Sequence, residues 1–239
     1  MSEREKEFLE IKKSIEQRPF ARKNITAKSS DRLNYIKYRL LRPLFKLRYN
    51  RFQKKNPSLP WLCPDAITAL NTLLSFGKGI EYGSGRSTLF FSGLLDELHS
   101  VEHHRNWFKQ VQEMLSENKI ENTTLHLIPA DQNFKEPSLT SEEQYFLTTS
   151  NYPIDDSYFQ SYINFLDKIE DESMDFILVD GRARRSCALK AMSKIKKGGI
   201  LVLDNSERKR YDQVHKAFIH YPQIFTTTGL TDTTIWLKN

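Results

Sequence analysis

Two apolar runs that each end in an aspartate set the tightest limit on this fold. Met174-Asp175-Phe176-Ile177-Leu178-Val179 leads into Asp180-Gly181, and Ile200-Leu201-Val202-Leu203 leads into Asp204-Asn205. Runs this short and continuous read as strands buried on both faces, as in the centre of a parallel sheet. The residues between them predict a helix over 183–196 and a turn at Lys197-Gly198-Gly199. In open α/β sheets ligands lie outside the C-terminal strand ends. Asp180, Asp204 and Asn205 stand at such ends, and Arg182, Arg184 and Arg185 crowd the first of them.

A third strand end is marked by glycines. Gly79-Ile80-Glu81-Tyr82-Gly83-Ser84-Gly85-Arg86-Ser87-Thr88 reads as a strand, a tight turn and the first turn of a helix. Glycines there let the backbone turn sharply, and amides at a helix start favour an anion. The dinucleotide fingerprint needs a third glycine where Thr88 stands. Further on, 97–102 reads as a strand ending in Glu102, placed to accept hydrogen bonds from ribose hydroxyls. His103 reads as lining the same pocket and His104 as facing solvent. Residues 123–128 predict another strand, with Asp131 just beyond it.

The segment Glu81-Tyr82-Gly83-Ser84-Gly85-x-Ser87-Thr88 closely resembles the first motif of class I S-adenosylmethionine (SAM)-dependent methyltransferases. The resemblance implies that Glu81, Gly83, Ser84, Gly85, Ser87 and Thr88 face the methionine end of SAM. Asp131 resembles the adenine-contacting position of that family. The series Asp180…Lys197-Gly198-Gly199…Asp204-Asn205 resembles the latter half of small-molecule O-methyltransferases of the catechol and caffeoyl-CoA type. It implies Asp180 and Asp204 as catalytic residues, and Asp180 also as a cofactor contact. It also implies Asp180, Asp204 and Asn205 as ligands of Mg²⁺, a cation that takes hard oxygen ligands. The three neighbouring arginines offer the alternative that they offset the carboxylates without a metal. Asp204-Asn205-Ser206 is also suited to capping the next helix.

The remaining elements follow the same order. Residues 64–76 predict a helix before the first strand, with Trp61 either covering the cofactor or in the core. Residues 105–117 and 207–220 predict helices, and 223–228 and 231–237 a closing antiparallel pair. The connection 132–170 is long for an α/β unit and reads as a lid or substrate wall. It is rich in aromatics, including Phe134, Tyr145, Phe146 and Tyr152, and predicts a helix near 158–166.

Charge divides the chain. Residues 1–56 hold 17 Lys/Arg against 6 Asp/Glu, and the remainder holds 19 against 24. The first segment predicts two helices, over 3–17 and over 31–51, with an interruption at Pro19, an N-cap at Asp31 and a kink at Pro43. A basic helical surface of this kind suits packing on the domain or a partner subunit, an anionic membrane surface, or contact with nucleic acid, an acidic substrate or another acidic partner. Cys63 and Cys187 are far apart and imply no disulfide framework, and no run approaches a membrane span. A cytoplasmic protein, with peripheral membrane contact through its first segment, is the expectation.

The expected architecture is therefore α/β: a Rossmann-like, seven-stranded, mostly parallel sheet with flanking helices. A basic helical extension, 1–56, would precede a SAM-binding domain, 57–239. The expected activity is methyl transfer from SAM to an oxygen of a small-molecule acceptor. Arg182, Arg184 and Arg185 are the candidate substrate contacts and imply an anionic acceptor, and a homo-oligomer is one expected assembly. A nicotinamide-dependent oxidoreductase and a non-catalytic scaffold on the same fold are the alternatives.

Overall fold

The computed structural model describes residues 2–17, 32–132 and 155–239. Seven strands form one sheet: β1 (Lys78–Tyr82), β2 (Glu97–Glu102), β3 (Thr123–Leu127), β4 (Met174–Val179), β5 (Ile195–Asp204), β6 (Gln223–Thr227) and β7 (Asp232–Leu237). Their order is β3-β2-β1-β4-β5-β7-β6. The first five are parallel to one another, and β7 runs antiparallel to both β5 and β6. The chain builds outward from β1 to β3, then crosses back to lay β4 on the other side of β1. That reversal opens a crevice at the C-terminal ends of β1 and β4, the place where such sheets receive ligands.

The helices cover both faces. They are α1 (Glu3–Glu16), α2 (Arg32–Lys55), α3 (Pro64–Leu73), α4 (Arg86–Ser92), α5 (Arg105–Glu117), α6 (Gln160–Ile163), α7 (Arg184–Lys194) and α8 (Asp212–Ala217). Alternation along the central strands sorts the core into two layers. Ile177 and Val179 of β4 join Tyr82, Leu201, Leu203 and Trp236 on one side, under α6, α7 and α8. Phe176 and Leu178 join Leu98, Ile200, Val202 and Ile235 on the other, under α1, α3 and α4.

Both described N-terminal helices pack on this body. Phe8 and Ile15 of α1 are buried in the second layer. On α2, Tyr49 donates to the Leu62 carbonyl (3.2 Å), and Gln53 donates to the Pro60 carbonyl (3.3 Å). The Phe45 ring lies against Gly229, whose φ of +89° turns the chain between β6 and β7. Helices α1 and α2 thus both pack against the core.

Several boundaries differ from those read in the sequence. Helix α2 runs unbroken through Pro43 to Lys55. Helix α3 stops at Leu73, short of Phe76, which is left-handed (φ +70°) and exposed. Lys197-Gly198-Gly199 is not a turn between elements but an irregularity within β5, where Met174 pairs with Ile195 and Phe176 with Ile200. Gly198 is left-handed there, and a Cβ at Gly199 would meet the Asp175 carbonyl. The helix expected over 207–220 is a 3₁₀ turn, Lys209–Tyr211, followed by the short α8. The helix expected near 158–166 is α6 flanked by two 3₁₀ turns. Pro19, Asp31, Phe134, Tyr145, Phe146 and Tyr152 lie outside the described residues.

Candidate active site

Strand β1 ends at Tyr82, and the chain turns at Gly83 with φ +94°. A Cβ there would sit 2.8 Å from the Gly181 amide nitrogen, so the loops after β1 and β4 touch backbone to backbone. Only glycine fits that contact in that conformation. Gly85 is different: its backbone is extended, and a Cβ would make ordinary contact with the Trp107 ring.

The amides of this turn are not bare. Gly83 N–H donates to the Val101 carbonyl (2.9 Å), Ser84 N–H to Glu102 Oε2 (3.2 Å) and Gly85 N–H to Thr88 Oγ1 (2.8 Å). The anion cradle expected from the glycines is therefore occupied by the protein's own acceptors, because Glu102 and Thr88 reach it first.

Behind the turn lies a sealed polar network. Thr88 Oγ1 donates to Glu81 Oε2 (2.6 Å), as does Ser100 Oγ (2.7 Å). Glu81 is fully buried, and its Oε1 has no hydrogen-bond partner. Burial pushes the Glu81 carboxyl up to about 7, against the pull of the neighbouring Ser87, Thr88 and Ser100 hydroxyls. Glu81, Ser87 and Thr88 pin the turn from within and do not line the cavity.

This shift has a testable sign. A carboxyl whose pKa is higher in the folded state binds its proton more tightly when folded. Its contribution is present below its ordinary value of 4.5 and is lost as pH rises through about 7. The loss is on the order of 3 kcal/mol. Glu207, also raised to about 7 by burial, acts in the same window. Denaturant unfolding at pH 5 and pH 8 should show a smaller loss of stability for Glu81→Gln than for the wild type. An identical loss would mean that Glu81 does not titrate in this range.

Glu102, at the end of β2, is the hub of the exposed side of the turn. Its Oε2 accepts from Ser84 N–H and from Ser84 Oγ (3.0 Å). Its Oε1 accepts from the His103 and His104 amides (2.8 and 2.7 Å), and His103 Nδ1 lies at ion-pair distance, 2.9 Å. Burial works to raise this carboxyl, but the bonds from His103, His104 and Ser84 outweigh it and hold it below the usual glutamate value. Arg182 Nε approaches His103 Nε2 at 3.4 Å.

On the opposite wall, β4 and β5 both end in left-handed breaks. Ala183 has φ +46° and Asn205 φ +51°. An alanine adopts that conformation only at a local energetic cost, which concentrates at functional sites. From the break at Ala183 the start of α7 carries Arg184 between the two strand-end aspartates. Its Nη2 pairs with Asp180 Oδ1 (2.8 Å), its Nη1 donates to the Asp204 carbonyl (2.7 Å) and approaches Asp204 Oδ2 (3.5 Å), and its Nε donates to the Gly181 carbonyl (3.0 Å). Thr233 Oγ1 donates to Asp204 Oδ1 (2.8 Å). Burial, followed by the Asp204 carboxyl, pushes Asp180 well above the usual aspartate range, against the pull of Arg184.

These contacts test the expected metal triad, and the residues do not fit it. A guanidinium stands between Asp180 and Asp204, and Asn205 Oδ1 accepts from Arg208 Nη2 (2.7 Å). Among the described residues no group of three or more His, Cys, Asp or Glu is arranged to hold a metal ion.

A cavity of about 560 Å³ opens between the two walls. Gly83, Ser84, Glu102, His103, His104 and Trp107 form one side, and residues 180–185 with Arg208, Arg210 and Tyr211 form the other. Asp204 is buried behind Arg184, and neither it nor Asn205 lines the cavity. Asp131 is exposed and accepts from the Ser161 amide (3.0 Å), tying down α6. Gly85 and Asp131 do not line the cavity either. Trp61 is neither core nor lining: it is exposed, with the Arg86 guanidinium over its ring. His104, read as solvent-facing, is exposed yet reaches the cavity rim and caps α5 through Nδ1.

The lining residues that the sequence reading does not single out include Trp107, Arg208, Arg210 and Tyr211. Trp107 donates to the Ser84 carbonyl (2.6 Å) and so joins α5 to the glycine turn. The signal for the others was the basic run after Asp204-Asn205, which read as an ordinary helix start. Two of the arginines flagged earlier are committed internally, Arg184 to the aspartates and Arg185 to Asp156 (2.9 Å).

No protein-family model and no curated protein matches the chain. Solved structures do. A methyltransferase-like protein from Silicibacter pomeroyi is 24% identical, with 76% of this chain and 89% of that one covered and a TM-score of 0.49. A Streptococcus mutans protein solved in complex with SAH is 11% identical, with 71% and 93% covered and a TM-score of 0.48. A Corynebacterium glutamicum protein is 11% identical, with 87% and 97% covered and a TM-score of 0.51. At these identities the last likeness speaks for the fold alone.

Proposed function

We propose that the protein is a SAM-dependent methyltransferase acting on an oxygen of a small, anionic acceptor. The observation that carries this reading is the cavity at the C-terminal ends of β1, β2 and β4, with an ionised Glu102 on one wall and Asp180 on the other. Its volume is in the range of small-molecule sites. The class I motif and the order of the strands agree with it.

The donor set fits the cofactor. Glu102 would meet the ribose hydroxyls in exchange for one of its bonds from Ser84, beside His103 and Trp107 as ring surfaces for the nucleoside. When bound, SAM would supply the activated methyl group for the acceptor oxygen, its sulfur keeping the C–S electron pair. The protein's part is to orient the acceptor and to take its proton. Asp180, with its raised pKa and its place at the cavity edge, is the general base; Arg184 holds it in position. Such a base gives activity that rises with pH through a pKa well above the usual aspartate value.

The arginine wall selects the acceptor's charge. Burial, then the neighbouring Arg184, holds both Arg182 and Arg208 below the usual guanidinium range. An anionic group between Arg182, Arg208 and Arg210 relieves that repulsion. Asp204 is kept as a buried partner of Arg184.

Calorimetric titration separates this reading from an oxidoreductase. S-adenosylhomocysteine should bind in the micromolar range and NAD⁺ should give no heat. Binding of NAD⁺ with none of S-adenosylhomocysteine would overturn it.

A further inference from the structure

Helix α2 has two apolar faces. Tyr49 and Phe52 are half-buried toward the domain, and Phe45 lies against Gly229. The opposite face carries Ile36, Leu40, Leu44 and Leu47, at intervals of four, four and three residues. That spacing makes one stripe along a helix. All four are exposed, Leu40 by 74%. Single exposed leucines are common, but four in one line are not.

The charge around the stripe indicates what covers it. The 24 residues of α2 include nine Lys/Arg and no Asp/Glu. Lys37 lies along one flank of the stripe, and Arg39 and Lys46 along the other, all exposed. Their aliphatic stems can lie beside the leucines while their heads reach outward to anions. A second copy of the same helix would bring like charges together, whereas a polyanion without an apolar layer would leave the leucines in water. A bilayer surface rich in anionic lipid satisfies both halves of the pattern. No described helix is long and apolar enough to cross a membrane, so α2 would lie along the surface.

We propose that α2 docks the protein on anionic membranes through Ile36, Leu40, Leu44 and Leu47, with the flanking basic residues on lipid headgroups. This goes beyond the methyltransferase reading and does not depend on it.

The test is co-sedimentation of the full chain with phosphatidylglycerol-rich vesicles and with pure phosphatidylcholine vesicles, beside light scattering without lipid. The wild type should pellet with the anionic vesicles and not with the neutral ones, and raised salt should release it. Leu40→Glu/Leu44→Glu should lower the partition coefficient about tenfold or more. Because both positions are exposed, its melting temperature and S-adenosylhomocysteine affinity should match the wild type. Arg39→Glu/Lys46→Glu should weaken binding in the same direction. Three results would overturn the proposal. One is a wild type that ignores anionic vesicles. Another is a leucine variant that binds them as well as the wild type. The last is a wild-type dimer, blind to vesicles, that the leucine variant dissociates.

Discussion

Glu102→Ala should lower the affinity for S-adenosylhomocysteine by about 100-fold or more. Two losses add. The carboxylate that would meet the ribose is removed, and charge-assisted hydrogen bonds of this kind contribute about 1.5–3 kcal/mol. The hub that gathers Ser84 N–H, Ser84 Oγ and the His103 and His104 amides is removed as well. Left without an acceptor, the amide of Ser84 releases one anchor of the glycine turn, and the cavity wall loosens. Calorimetry on the wild type, Glu102→Ala and Glu102→Gln reads the effect. The glutamine variant keeps an acceptor for part of this set and should fall between the other two. An alanine variant that is folded and binds within about threefold of the wild type would remove Glu102 from the site.

Arg184→Met should destabilise the fold by about 2–3 kcal/mol, less than the roughly 3–5 kcal/mol of removing one partner from a fully buried ion pair, because Asp180 opens onto the cavity. Asp180 and Asp204 would then face each other without the cation between them, and the Asp204 and Gly181 carbonyls would each lose a donor. For a chain of this size the melting temperature should drop by up to about 10 °C. Asp180→Asn/Arg184→Met removes a negative charge together with the positive one, so it should recover part of the loss. That recovery distinguishes an electrostatic clamp from lost packing, since both variants lack the same guanidinium. A drop of under about 1 kcal/mol in Arg184→Met, or a double variant worse than the sum of its parts, would show that the clamp does not hold the two strand ends.

The site was legible in the sequence where it depends on neighbours along the chain. Gly83, Ser84, Glu102, His103 and Asp180 stand at strand ends, and apolar runs mark such ends. All five line the cavity. Glu81, Thr88 and Ser87 were placed at the right loop but on the wrong side of it: they form the buried network behind the turn. Whether a polar side chain in a tight loop points outward or inward depends on what packs beneath it. Here Ser100 of β2, a different strand, supplies the inner partner. Asp131 was placed after β3 as expected, yet it holds the Ser161 amide, because α6 folds back onto that loop.

Alternating and continuous hydrophobicity thus determined the strands, the parallel sheet and the end of the sheet that carries the acids. These properties come from the burial of each residue relative to its near neighbours, so they are written locally. The tertiary structure alone decided that Arg184 stands where a metal was expected, that the glycine-turn amides are already bonded, and that Arg208 and Arg210 join Arg182 around the cavity. Each of these outcomes joins side chains or amides from different strands and loops. They meet only after the crossovers close, and which partner an ion or an amide takes is then set by distance through space rather than by position in the chain.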